Sequence, residues 1–144
     1  MDQKTTGELM QLLSSAKNIS DLKQYTDALA DMTSSVTFPE YLNELMHARG
    51  VTASKLISAA QIQRNYGYQI LDGRRSSSRD KVISLCLALK LELPETQRAL
   101  TLTKNGQLYS KNKRDSILIF AFGKKLSVID TNVLLEEMNE SVLN

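Results

Sequence analysis

VTASKLISAAQIQRNYGYQILDGRR, residues 51–75, carries two short helical patterns with a tight connection between them. Thr52 offers the hydroxyl of an N-cap, and Leu56, Ala59 and Ala60 then recur at the three- and four-residue spacing of one helical face. A polar break follows at Gln61. A second helix is expected from about residue 63 to 71, with Tyr66, Ile70 and Leu71 available for packing, and Asp72-Gly73 ends it as a turn dipeptide. Two helices joined by three or four residues make the frame of a helix-turn-helix, whose second helix can enter a DNA major groove.

This run resembles the helix-turn-helix of the phage repressor-like (Cro/CI, XRE) family, without a gap from Val51 through Arg74, and Leu56, Ile70 and Gly73 fall where that pattern expects them. A preceding helix around residues 39–49 and a following one around 79–90 would complete the small all-helical domain that the resemblance implies, over roughly half the chain. The residues that could reach base edges are then Gln63, Arg64 and Asn65 at the amino end of the second helix and, one turn on, Tyr68 and Gln69. Arg can donate two hydrogen bonds to guanine, and Asn and Gln can pair with adenine. Lys55, Arg74 and Arg75 are the expected phosphate contacts. Where family members often carry a phosphate-contacting glutamine, near the start of the first of these two helices, this chain has Ala53 and Ser54.

Three positions depart from the family pattern. Gln61 stands where the turn normally has glycine for its positive φ. Ile57 replaces a small residue, and Gly67 occupies an apolar core position of the second helix, at a cost of about 1 kcal/mol in helix propensity. These departures motivate an alternative function, a protein-interaction adaptor built on a helix-turn-helix fold that has lost or weakened its DNA binding.

Charge is distributed in blocks. The chain of 144 residues has a net charge of +2, but residues 1–40 sum to −3, residues 41–114 to +8 and residues 115–144 to −3. A basic middle is the electrostatic footprint of phosphate-backbone binding, and here it coincides with the motif. Apolar and charged fractions of 42% and 24% are ordinary for a globular protein and exclude disorder as the overall state. Cys86, the single cysteine, lies among Leu85, Leu87 and Leu89 and is expected to be a buried thiol in a reducing compartment. Without an apolar leader or a membrane-length apolar run, the expected location is cytoplasmic, with no membrane partner.

The remaining segments supply the scaffold. Residues 7–16 and 21–32 have amphipathic spacing and would form an acidic helical hairpin within residues 1–37. Phe38-Pro39 opens the next helix, with Tyr41, Leu42, Leu45 and Met46 on its buried face. Ser78 caps a helix over 79–90 whose nearly continuous apolar run calls for burial on several sides. Leu93-Pro94 begins another, stopped by Asn105-Gly106. Residues 117–122 are an unbroken apolar run, read as helix because Asp115 or Ser116 can cap it and Gly123 can end it. Ser127 begins a last helix through Met138, with Glu136 and Glu137 outward.

The expected architecture is therefore all-α: an N-terminal acidic hairpin (1–37), a repressor-like helix-turn-helix domain (38–104) and a C-terminal helical extension (105–144) able to dimerise. Double-stranded DNA is the expected partner, bound by a homodimer, with the N- or C-terminal helices as surfaces for any protein partner. The Arg-Arg-Ser-Ser run at 74–77 also resembles a basic-directed kinase site, although capping by Ser78 explains its serines better. No enzyme is expected, since no phosphate loop, nucleophile elbow or Cys-His dyad can be found. His47 and Cys86 supply no recognisable metal set, so neither catalytic residue, metal nor cofactor is expected.

Overall fold

The computed structural model describes residues 36–144; the helical hairpin expected within residues 1–37 lies outside them. The described residues form seven helices and no strand: α1 (Phe38–Arg49), α2 (Ala53–Ala59), α3 (Arg64–Leu71), α4 (Arg79–Ala88), α5 (Leu93–Leu102), α6 (Lys113–Gly123) and α7 (Val128–Glu137). The apolar run at 117–122 is helical, as its flanking polar residues led us to expect.

Most helices start on a side-chain cap. Thr52, Ser78, Asn112 and Ser127 each accept a hydrogen bond from the backbone N–H three residues on, which satisfies one of the orphan donors of the first turn. In α5 the carboxylates of Glu92 and Glu95 do this reciprocally, as a capping box. The cap of α6 is Asn112, in place of the expected Asp115 or Ser116. Asp115 lies one turn inside, where an arginine on another helix claims it.

All seven helices are followed closely by a residue of left-handed φ, and only two of these are glycine. Gly50 follows α1 and Gly73 follows α3, but Gln61, Lys90, Lys104, Lys125 and Asn139 hold φ between 55° and 60°. Six of the ends share one hydrogen-bond pattern, for instance Gln61 N–H to Ser58 O with Ile62 N–H to Ile57 O, and Lys90 N–H to Leu87 O with Leu91 N–H to Cys86 O. That pairing satisfies two terminal carbonyls, and at four of the six ends it also turns an apolar residue inward, Val51, Ile62, Leu91 or Leu126, which at Gln61, Lys90 and Lys125 offsets the strain of the non-glycine residue. Two other glycines expected to stop helices, Gly106 and Gly123, do not act this way. Gly123 is the last residue of α6, and neither it nor Gly106 has positive φ.

α4 is the centre of the packing. Val82 through Leu87 are all buried, and the helix meets α2, α5 and α7. α1 closes over α3 and α5, with the Tyr41 hydroxyl donating to Glu95 O and Asn43 Nδ2 donating to Leu71 O. Ile117, Leu118, Ala121, Phe122, Val128 and Leu135 of α6 and α7 belong to the same hydrophobic cluster as Leu42, Leu56 and Ile70, so residues 38–144 make one compact unit. Burying side chains of this kind contributes about 1.5–3 kcal/mol each before entropy is counted. Cys86 is fully buried, which pushes its thiol up to about 12.

A reciprocal clasp joins the starts of α4 and α6. Arg79 places both guanidinium nitrogens 2.9 Å from the Asp115 carboxylate and donates further to Gly106 O and Gln107 O. Its neighbour Asp80 accepts two 3.0 Å bonds from Arg114, which also reaches Ser141 O and Val142 O. Two adjacent residues on one helix thus pair crosswise with two on the other. Burial pushes the Asp115 carboxyl up, but hydrogen bonds from Arg79 and from the Tyr109 N–H outweigh it and hold the group below the usual carboxylate range.

Candidate nucleic-acid interface

The surface of interest is built on α3 and its two flanks. α2 and α3 are joined by residues 60–63, and the strained residue of that connection is Gln61, φ 59°. Its side chain donates to Ser58 O at 3.0 Å, so the position that usually asks for glycine is held by a side chain folded back on the helix it terminates.

Gly67 and Ile57 explain one another. A Cβ placed on Gly67 would lie 2.7 Å from both Ile57 Cγ1 and Cγ2 and 2.9 Å from its Cδ1. The larger residue on α2 therefore occupies the volume that the missing side chain on α3 leaves. What reads in the sequence as two separate defects is one exchange of bulk across the α2–α3 contact, and both residues are buried.

The eight expected contact residues separate into three groups and a single residue, Arg75. Arg64 and Asn65 are exposed in the first turn of α3, and Lys55 is exposed in the first turn of α2. Tyr68 and Gln69 are half-buried one turn further on, with the Arg64 guanidinium 5.8 Å from the Tyr68 ring centroid. Gln63 and Arg74 are already engaged. Gln63 is the N-cap of α3, its Oε1 accepting the Tyr66 N–H at 2.8 Å, so its oxygen already has one partner while its amide nitrogen is left to face a ligand. Arg74 is bound to Asp72, Nε donating at 2.7 Å with a second nitrogen at 2.6 Å; the side-chain hydrogen bond holds the Asp72 carboxyl low and the guanidinium high. Arg75 is exposed, with its guanidinium over the Tyr66 ring at 5.3 Å.

Two residues escaped the sequence reading. Lys81, in the first turn of α4, sets its ammonium 5.9 Å from the same Tyr66 ring, and Tyr66, expected only as packing, donates its hydroxyl to Ser76 O at 3.2 Å. The signal available was a lysine one turn into the helix after the basic loop, but its position beside Tyr66 required the fold. Lys55, Arg64, Arg75 and Lys81 form no salt bridge to any described residue, whereas Arg49, Arg79 and Arg114 spend their charge on internal carboxylates. Ser78 is the cap of α4, and the Ser77 hydroxyl is buried without a hydrogen-bond partner among the described residues, which removes it from a kinase's reach in this conformation.

No group of three metal-ligating side chains occurs among the described residues, and no described helix is long and apolar enough to cross a membrane. No protein-family model, curated protein or solved structure matches this chain.

Proposed function

We propose that this protein is a sequence-specific DNA-binding transcriptional regulator that inserts α3 into the major groove. The observation that carries the reading is the exposed amino end of α3, with Arg64 and Asn65 in its first turn; neither they nor Lys55 on α2 and Arg75 after α3 have an acidic partner among the described residues. Arg and Asn at this place suit bidentate readout of guanine and adenine, each worth about 1–3 kcal/mol of discrimination. The surrounding cations suit phosphates. Residues 51–74 keep their resemblance to the repressor-like helix-turn-helix family, and two of the departures from its pattern, Ile57 and Gly67, compensate each other. With Gln61 able to hold positive φ, the case for an adaptor that has lost its DNA surface is weaker.

The regulator would act as a homodimer. Phe120, Ile129, Val133 and Met138 of the α6–α7 region are large apolar side chains exposed by 52%, 57%, 50% and 43%. Ile129 and Val133 are four residues apart and so share a helix face. Lys124 stands at the turn before α7 and Glu136 and Glu137 at the far end of α7, a polarity that a second copy related by a two-fold axis would complement. Paired recognition helices would then meet half-sites about 34 Å apart.

The test is fluorescence anisotropy with duplex DNA, taken from immediately upstream of the protein's own coding sequence, over a salt titration. Affinity falling steeply with salt supports the proposal. Its absence for that duplex and for nonspecific duplex alike would reject it.

A further inference from the structure

We infer that Tyr66 is a positioning residue that holds Arg75 and Lys81 together as a phosphate clamp, and that Lys81 is a DNA-backbone contact. The inference rests on the DNA-binding reading and extends it to residues that the motif does not include.

The two cations arrive from different elements. Arg75 ends the loop after α3, and its backbone N–H is fixed to Gln69 O at 3.1 Å. Lys81 sits three residues after the Ser78 cap, and its backbone N–H is held by that cap. Their charged groups lie 5.3 Å and 5.9 Å from one ring centroid, within the roughly 6 Å at which an aromatic face attracts a cation. The Tyr66 hydroxyl, by donating to Ser76 O, ties the intervening loop to α3, so the ring and the loop move as one piece. Neighbouring attachments add to this: Asn105 Nδ2 contacts Ser77 O at 3.5 Å, and Asp72 accepts the Arg74 N–H at 3.0 Å.

Holding two like charges at one ring costs repulsion unless an anion sits beside them. The carboxylates nearby in sequence do not serve. Asp72 is taken by Arg74, and Asp80, next to Lys81, is turned to Arg114 and to the Asn144 N–H. A phosphate at that ring would therefore meet two cations that have no carboxylate partner among the described residues and whose backbones are held before binding. That saves the side-chain ordering that flexible lysines and arginines otherwise lose on contact. Tyr66 itself touches no phosphate; it acts through the two cations.

The experiment compares the wild-type chain with Arg75→Ala, Lys81→Ala, Tyr66→Phe, Tyr66→Leu and the Tyr66→Leu/Lys81→Ala double variant, binding a labelled nonspecific duplex over a salt series. Circular dichroism establishes that each is folded. Arg75→Ala and Lys81→Ala should each lower the slope of log affinity against log salt by about 0.9, the amount for one phosphate contact. Tyr66→Leu should lower it without removing any charge, and Lys81→Ala should then add little. Tyr66→Phe, which keeps the ring but loses the bond to Ser76 O, should fall between wild type and Tyr66→Leu. A wild type that binds duplex while Lys81→Ala leaves the slope unchanged, or strict additivity of the double variant, overturns the clamp and leaves the DNA-binding reading standing. A wild type with no salt-dependent affinity overturns both. Should Tyr66→Leu fail to fold, proton chemical shifts decide: the Arg75 δ- and Lys81 ε-methylenes should show upfield ring-current shifts in the free protein, and ordinary shifts would refute the clamp.

Discussion

Ile57 and Gly67 exchange volume across α2 and α3, and the exchange can be measured. Adding a methyl at Gly67 puts Cβ within 3.0 Å of three Ile57 carbons, two of them on the stiff branch point, so Ile57 cannot simply swing aside. Gly67→Ala alone should cost about 1–3 kcal/mol by overpacking, although alanine is the better helix former. Combining it with Ile57→Ala should cost less than the sum of the single changes, because each removes the other's defect; urea midpoints of the four proteins give the coupling. Asp115 is a second such residue. Only 6% exposed and bonded by Arg79 and the Tyr109 N–H, it holds its proton less tightly than a free carboxyl, so its contribution to stability is present above the ordinary carboxylate range and lost as pH falls through its lowered value. Asp115→Asn should destabilise by about 2 kcal/mol at neutral pH and should lose less stability than wild type as pH falls below the ordinary carboxylate range. Neither relationship could be read in the sequence, because each joins residues brought together only by tertiary packing.

Helix by helix, more was legible. Period and caps located α1 through α7, and polar flanks distinguished helix from strand at 117–122. Termination was the part that misled. Glycine is the usual sign of a left-handed end, yet five of the seven helices close on Gln, Lys or Asn, and the glycines at 106 and 123 do not have positive φ. Hydrogen bonds back to the helix, joined after Gln61, Lys90 and Lys125 by an apolar residue just beyond, do the work that glycine would do alone. Lys90 and Lys125 add a cross-brace, each ammonium donating to the other's carbonyl at 2.9 Å and 3.0 Å. Where no such brace is present the strain should be recoverable. Lys104, at φ 59° and exposed, is the place to look: Lys104→Gly should raise stability by up to about 1 kcal/mol, whereas Lys104→Ala, which keeps the Cβ, should change it little, as thermal midpoints will show. In the candidate site, the exposed positions of Arg64, Asn65 and Lys55 follow from helical spacing. The cap bond of Gln63, the pairing of Arg74 and the place of Lys81 depend on local geometry that spacing does not encode.

For the whole molecule, the +8 of residues 41–114 divides into charges used inside and charges left outside. Arg49, Arg79 and Arg114 brace the scaffold, while Lys55 on α2, Arg64 on α3, Arg75 after it and Lys81 on α4 have no carboxylate partners among the described residues. Far from that surface in sequence, the exposed apolar residues of α6 and α7 are the proposed seat of a second copy. Val133→Glu, a change on an already exposed position, should convert a sedimenting dimer to a monomer with its helical content intact. Sequence recognition by α3 is decided by selecting duplexes from a randomised library. Wild-type protein should enrich a defined, pseudo-palindromic motif, and Arg64→Ala/Asn65→Ala should lose the motif while keeping nonspecific, salt-sensitive binding. Enrichment of no motif by the wild type, or the same motif from both proteins, would contradict it.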